Sequence, residues 1–370
     1  MQIAYTQEKA QILGIGTAVP KHTLESQAFA EFFINACSLN ETQAAQVRRL
    51  SLRTGIINRY SVLDDFCKKR EDWSFFNHDY PKNQPSTHTR NELYMQHAPQ
   101  LALGSARKAI KQWGGLVTDI THIISVSCTG MLAPGIEFFL HEQLGTKQTV
   151  QRYGLNFMGC FGAFRGIAMA QAFAQQDPKH RVLVVCTELC SLHIQTDFTL
   201  NNIIGNALFA DGSAAVIIGT HVRDGERALW EIEHCMFFAL PNSRDVMTWK
   251  IGEHGYVMNL GPEVPEHIGN HITSMAGQIM GDKTTSDQAD WLIHPGGKTI
   301  ISVIEKACNL VPEQTLASWD ILSNYGNMSS ATFLFVLERA LLLQPNNPYA
   351  IGLAFGPGLS VDGMLLKKPE

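Results

Sequence analysis

The sequence predicts an α/β protein built from two halves of like design, and three observations carry that prediction. Short apolar runs that read as buried strands alternate with longer stretches of helical periodicity. The order of these elements recurs in the second part of the chain, with Cys128 and His294 separated by 166 residues and Cys160 and Asn327 by 167. The 370 residues are also long enough for two such halves. We place them at residues 1–225 and 226–370.

In the first half, residues 91–113 have helical periodicity and THIISVSC (121–128) reads as a buried strand. Pro134-Gly135 opens a helix to Leu144, and GLNF (154–157) is a strand that ends at Gly159-Cys160. The Ala-rich run 161–176 is helical, and RVLVVCTE (181–188) is again a buried strand. In the second half, Trp291–His294 is a short apolar run closed by Pro295-Gly296-Gly297, and a helix-like stretch follows. Asp320-Ile321-Leu322-Ser323 reads as the strand before Tyr325-Gly326-Asn327, with a helix over 328–343. AIGLAF (350–355) is a strand ending in Gly356-Pro357-Gly358. If the halves pack about a pseudo-twofold axis, Cys160, His294 and Asn327 meet, each at the carboxyl end of a strand, where α/β folds gather ligands.

Composition narrows the function. Apolar residues are 45% and charged residues 17%, as in a globular protein. A net charge of −5 gives no basic excess for nucleic acid or an anionic membrane, although a few local cations could still hold a small anion. No apolar run is long enough to span a membrane. Met1–Lys9 lacks the basic and apolar regions of a secretory signal. Eight cysteines without a CxxC pair read as reduced thiols in the cytoplasm, and no metal site is expected. Gly14-Ile15-Gly16 lacks the third glycine of a dinucleotide fingerprint, and Gly356-Pro357-Gly358 has neither the spacing nor the lysine of a phosphate loop.

Among the residues that could do chemistry, Cys160 stands out for its glycine-flanked strand-to-helix turn. The helix N-terminus and a histidine partner would favour its thiolate there, although buried cysteines are as often structural. His294 ends a buried strand and is either a pocket imidazole or a hydrogen-bonded core residue. Asn327 is suited to capping a helix, a role compatible with catalysis.

RTGIINRY (53–60), CTGMLAPG (128–135), GCFGAF (159–164), LFADGSAA (208–215), IHPGG (293–297), YGNMSSAT (325–332) and FGPGLSVD (355–362) occur in one order along nearly the whole chain. Together they resemble the chalcone synthase superfamily of type III polyketide synthases. The resemblance implies a thiolase-like fold in five αβαβα layers and a Cys160–His294–Asn327 triad. Cys160 would be loaded from an acyl-CoA starter. Decarboxylative condensation with malonyl-CoA would then extend the chain, and cyclisation would give a pyrone, resorcinol or phloroglucinol-type product, with no metal or redox cofactor. A homodimer is the implied assembly.

Phe209 matches the family's gatekeeper between the CoA tunnel and the cavity; otherwise it is a core aromatic. Cys128, His193, Trp249 and Met258 match pocket positions, and Gly356, Pro357 and Gly358 match the loop at the cyclisation pocket. Arg53 and Arg59 are the candidates for the CoA phosphates. Cys128 and CTELCSLH (186–193) give the chain a bacterial look. Two rivals remain: an initiating ketoacyl-ACP synthase, which shares Cys-His-Asn but has a different asparagine motif and final loop, and a non-catalytic thiolase-fold partner subunit, which would have lost the nucleophile.

Overall fold

The computed structural model describes residues 8–369 apart from 78 and 345, so the N-terminal stretch read for a signal lies largely outside the described residues. The first half supplies strands β1 (Gln11–Ala18), β2 (His22–Glu25), β3 (Asn58–Ser61), β4 (His122–Ser127), β5 (Gln151–Asn156), β6 (Val182–Leu189) and β7 (Asp211–Gly219). Its helices are α1 (Ser26–Ala36), α2 (Glu41–Arg53), α3 (Thr87–Trp113), α4 (Ile136–Leu144), α5 (Gly162–Ala174) and α6 (Leu200–Leu208). The second half adds β8 (Trp230–Ala239), β9 (Met247–Gly252), β10 (Gly255–Leu260), β11 (Ala289–Ile293), β12 (Tyr349–Gly356) and β13 (Ser360–Lys367). Helices α7 (Val264–Met280), α8 (Lys298–Cys308), α9 (Pro312–Tyr325) and α10 (Thr332–Leu343) complete it.

The repeat seen in the sequence is a repeat of topology. One half orders its strands β1-β7-β6-β4-β5 and the other β8-β13-β12-β11. The senses agree: β4–β6 and β11–β12 are parallel pairs, while the two strands nearer each inner end pair antiparallel. The halves join where β1 pairs with β8, so nine strands run continuously.

Strand alternation sends side chains to opposite faces and builds the layers. Val182, Val184 and Val216 face a central cluster with Phe164 and Ile167 of α5 and Phe333 and Val336 of α10, which Ala350, Ala354 and Met364 of the second half also enter. Leu183, Val185 and Ile217 face outward onto Tyr94, Ala98 and Ala106 of α3. Ile351, Leu353 and Leu365 do the same against Ile268, Ile272 and Ile279 of α7. Two central helices lie between the sheet halves, and each half carries helices on its outer face, giving five layers. Gly14 and Gly16, inside β1, serve this packing: an added Cβ at either would lie 2.4 Å from backbone atoms of Ala109 in α3.

The expected strand at 320–323 is instead part of helix α9. Pro312 starts this helix, Ala317 and Ile321 turn one face into the central cluster, and Asp320 pairs with Arg339 of α10 at 2.8 Å. The second half therefore has no counterpart of β5 in the sheet, and Asn327 follows a helix, not a strand.

Candidate active site

Cys160 stands where β5 gives way to α5. Gly159 takes φ +81°, which favours glycine, and an added Cβ there would lie 2.4 Å from Pro357 Cδ. The loop between β12 and β13 thus presses on the turn that carries Cys160. Phe161 is the N-cap residue of α5, which leaves Cys160 just outside that helix's N-terminus. Its thiol donates to Ser329 Oγ at 3.7 Å.

His294 extends β11 by one residue, its N–H donating to Leu353 O at 2.7 Å. It is 1% exposed, and among the described residues neither ring nitrogen has a hydrogen-bond partner. Asn327 is held by its backbone, its N–H donating to Leu208 O and its carbonyl accepting from Ala210 N, both at 2.9 Å. The side-chain Oδ1 accepts from Ser329 N at 2.8 Å. That bond turns Nδ2 the other way, where it donates to Gly296 O at 3.4 Å.

These three side chains line one pocket of about 200 Å³, with Phe209, Met258, Gly296, Gly297 and Thr299 among its walls. A second, smaller cavity of about 50 Å³ lies beyond Phe209 and Met258, which line both. His193, Trp249 and Arg59 line the second cavity. The positions of Phe209 and Met258 are therefore those of a partition.

Burial pushes the Cys160 thiol up to about 12, with the nearby Glu188 carboxylate adding to the rise and Ser329 and Asn327 opposing it. Burial likewise pushes His294 down to about 3. The expected low-pKa thiolate is thus not the resting state. The helix N-terminus contributes a partial charge, whereas removal from water penalises a whole one. Both shifts favour the uncharged forms, a thiol and a neutral imidazole.

Several expected site residues fall elsewhere. Cys128 lines neither cavity; it lies behind Ser329, with its sulfur 3.1 Å from Ser329 Oγ and 3.2 Å from Glu188 Oε1. Gly356, Pro357 and Gly358 also line neither cavity; Pro357 is the buttress under Gly159, and Gly356 lies against the Phe161 ring. Arg59 is 2% exposed and donates to the carbonyls of Asn206 and Phe209, so it is not placed to meet a phosphate at the surface. Burial lowers it to about 9, and it remains a cation at neutral pH. Arg53 does reach solvent, as the last residue of α2. His193 lines the second cavity, but its ring is engaged: Nε2 donates to Thr129 O at 2.7 Å and Nδ1 accepts from Tyr256 N at 3.0 Å. Trp249 donates to Cys128 O at 2.7 Å, fixing its indole across that cavity.

Two groups escaped the sequence reading. Glu188 is a buried carboxylate that accepts from Ser330 Oγ, Thr129 Oγ1 at 2.7 Å and Cys128 N at 3.0 Å, and burial raises its pKa. An acidic residue ending the apolar run RVLVVCTE was its signal. The other is Lys298, which starts α8 beside Gly297 and whose Cδ lies 3.7 Å from an added Cβ at Gly55, two residues after Arg53 in the chain.

Models of the chalcone and stilbene synthases match the chain almost end to end, the N-terminal domain over residues 2–222 and the C-terminal domain over 231–369. The chain belongs to the chalcone and stilbene synthase family. Curated relatives agree. Type III polyketide synthase C of Arabidopsis thaliana is 29% identical over 99% of this chain and 97% of its own length. Bisdemethoxycurcumin synthase of Oryza sativa subsp. japonica is 32% identical over 96% and 92%. The Probable polyketide synthase 1 of Dictyostelium discoideum is 35% identical over 96% of this chain, which spans only 11% of that longer protein. Among solved structures, the C-terminal type III polyketide synthase domain of the Dictyostelium hybrid Steely1 superposes with a TM-score of 0.92 at 33% identity, covering 97% of this chain and 99% of that one. PKS-I of the brown alga Ectocarpus siliculosus gives 0.90 at 28% identity, covering 98% and 99%.

As a member of this family the chain has a thiolase-like fold and is a type III polyketide synthase, an enzyme that transfers acyl groups in polyketide synthesis. The bacterial look read from Cys128 and CTELCSLH has no support in these relatives. Among the described residues, no helix is long and apolar enough to cross a membrane.

Proposed function

We propose that Cys160 carries the growing acyl chain as a thioester and that His294 and Asn327 activate malonyl-CoA. The convergence of all three on one pocket, with both His294 nitrogens unengaged, carries this reading. Approach of an acyl-CoA carbonyl lets Cys160 attack while His294 takes its proton, and the CoA thiolate leaves with a proton returned to it. Malonyl-CoA then loses CO₂. The charge reaching its thioester oxygen is met by the neutral imidazole N–H and Asn327 Nδ2; the enolate attacks the acyl-Cys160 carbonyl, the bond to the Cys160 sulfur breaks, and the lengthened chain, now on CoA, is passed back to Cys160 for the next round. Repetition fills the space beyond Phe209, and cyclisation releases a pyrone, resorcinol or phloroglucinol-type product. The sequence of steps calls on no metal or redox cofactor. Arg53 and Lys298 are the cations proposed for the CoA phosphates, and the enzyme is proposed to act as a cytoplasmic homodimer.

The test supplies malonyl-CoA and a panel of acyl-CoA starters without carrier protein. Mass spectrometry should find an acyl adduct on Cys160 that is absent from Cys160→Ala, together with multiply extended cyclic products. Single-round products that require a carrier protein would move the reading to an initiating condensing enzyme. No adduct with any starter would move it to a non-catalytic partner.

A further inference from the structure

We infer that Arg59 and Asn201 are positioning residues for the partition formed by Phe209 and Met258, and that through it they set how far the acyl chain extends. Arg59 lies on β3, entirely inside the protein. A buried cation is costly unless its surroundings answer it. Its hydrogen bonds run from Nη1 to Asn206 O at 2.7 Å and to Phe209 O at 3.2 Å, and its guanidinium stacks 4.1 Å from the Phe29 ring centroid. Both carbonyls belong to the end of α6, whose C-cap residue is Phe209. The last carbonyls of a helix have no partners within it and sit at the negative end of its dipole, so a cation there fixes the turn in place.

Met258 is fixed from the same helix. Asn201 sits one residue into α6, and its Nδ2 donates to Met258 O at 2.9 Å while its Oδ1 accepts from Leu260 N at 3.1 Å. An amide that pairs both ways with a strand edge acts as one more rung of the ladder. Between these anchors, Asn206 exchanges two hydrogen bonds with the backbone of Gln195, and Gln195 Nε2 reaches Tyr256 O on β10. One helix thereby holds both walls of the partition. The Phe209 wall is also tied to the catalytic amide, because Phe209 bridges Asn327 in parallel pairing. Loosening either anchor lets the two cavities merge without removing a group from Cys160 or His294.

This inference rests on the polyketide reading of the pocket, and the experiment separates the two. Wild type, Arg59→Lys, Arg59→Gln and Asn201→Ala are each given malonyl-CoA and starters of increasing length. Product lengths, KM for each CoA substrate and Cys160 acylation are measured. Arg59→Gln and Asn201→Ala should each shift the ratio of longer to shorter products by about threefold or more, with Arg59→Lys closer to wild type. Folded variants that keep the wild-type ratio would overturn the inference. So would Arg59→Gln raising KM for both CoA substrates with the ratio unchanged, the signature of a phosphate ligand. Should Arg59→Gln fail to fold, Asn201→Ala decides alone. A wild-type protein that acylates no starter defeats the polyketide reading itself, and is seen before any variant is compared.

Discussion

Two buried histidines face neighbouring cavities, and they differ in one respect. Burial pushes both His193 and His294 down to about 3. His193 has both nitrogens engaged and stacks on Tyr256 with centroids 4.2 Å apart. His294 engages neither nitrogen. A buried polar group left without a partner costs about 1–3 kcal/mol. The protein carries that cost beside a thiol and an amide, where a substrate oxygen can supply the missing bond. Burial and a shifted pKa therefore do not separate the two histidines; unmet hydrogen-bonding capacity does.

The sharpest way to break this contrast is to make the same substitution at both positions. His294→Gln should lower kcat for condensation by about 10²–10³, the loss of one preorganised donor, and Asn327→Ala should cost about as much. His193→Gln, whose amide can still donate to Thr129 O and accept from Tyr256 N, should change kcat by less than about threefold. Steady-state kinetics on folded variants decides it. Equal losses at 193 and 294 would mean that the second cavity takes part in the chemistry.

A smaller effect is expected in the reactivity of Cys160. With the thiol at about 12 and His294 at about 3, the free enzyme has no resting ion pair to titrate. The rate of alkylation at Cys160 by a neutral reagent should rise about tenfold per pH unit between pH 7 and 9 and reach no plateau. A flat profile across that range would show a preformed thiolate–imidazolium pair and would overturn the neutral resting state. Peptide mapping after timed labelling measures it.

Much of this architecture is visible in the sequence for a physical reason. β4 and β6 are buried on both faces, so they appear as mainly apolar runs without polar alternation, and Gly159 and Gly326 mark turns at positive φ. The misreadings also have causes. A window as short as 320–323 looks the same in a strand or a helix, and α9 shows itself only when Ala317 is set against Ile321. Arg53 and Arg59 are chemically identical six residues apart, and only the packing of Phe29 and α6 sends one to solvent and the other inside. Cys128 lines neither cavity, its sulfur being turned instead onto Ser329 Oγ and Glu188 Oε1. The upward push that burial gives the Cys160 thiol is not legible in the sequence, which shows only the helix N-terminus.

The smallest expected effect is in stability, and it tests the engaged histidine by itself. An unfolded histidine titrates near 6.5, whereas His193 in the fold stays neutral to about 3. Between those values the unfolded chain binds a proton that the native state does not, so the stability contributed by His193 is complete above about 6.5 and is lost as pH falls. At pH 5 the loss is about 2 kcal/mol. Asp211 and Asp362, both raised to about 6 by burial, act in the opposite sense as pH falls through that range, so the total slope cannot be assigned to one residue. The comparison of variants can be. His193→Gln keeps both hydrogen bonds and has no proton to take up, so its denaturant midpoint should fall less between pH 7 and 5 than that of wild type, by the equivalent of about 2 kcal/mol. An unchanged slope would mean that His193 is protonated in the fold. Its Nδ1 could then not accept from Tyr256, and the contrast with His294 would fail at its better-satisfied end.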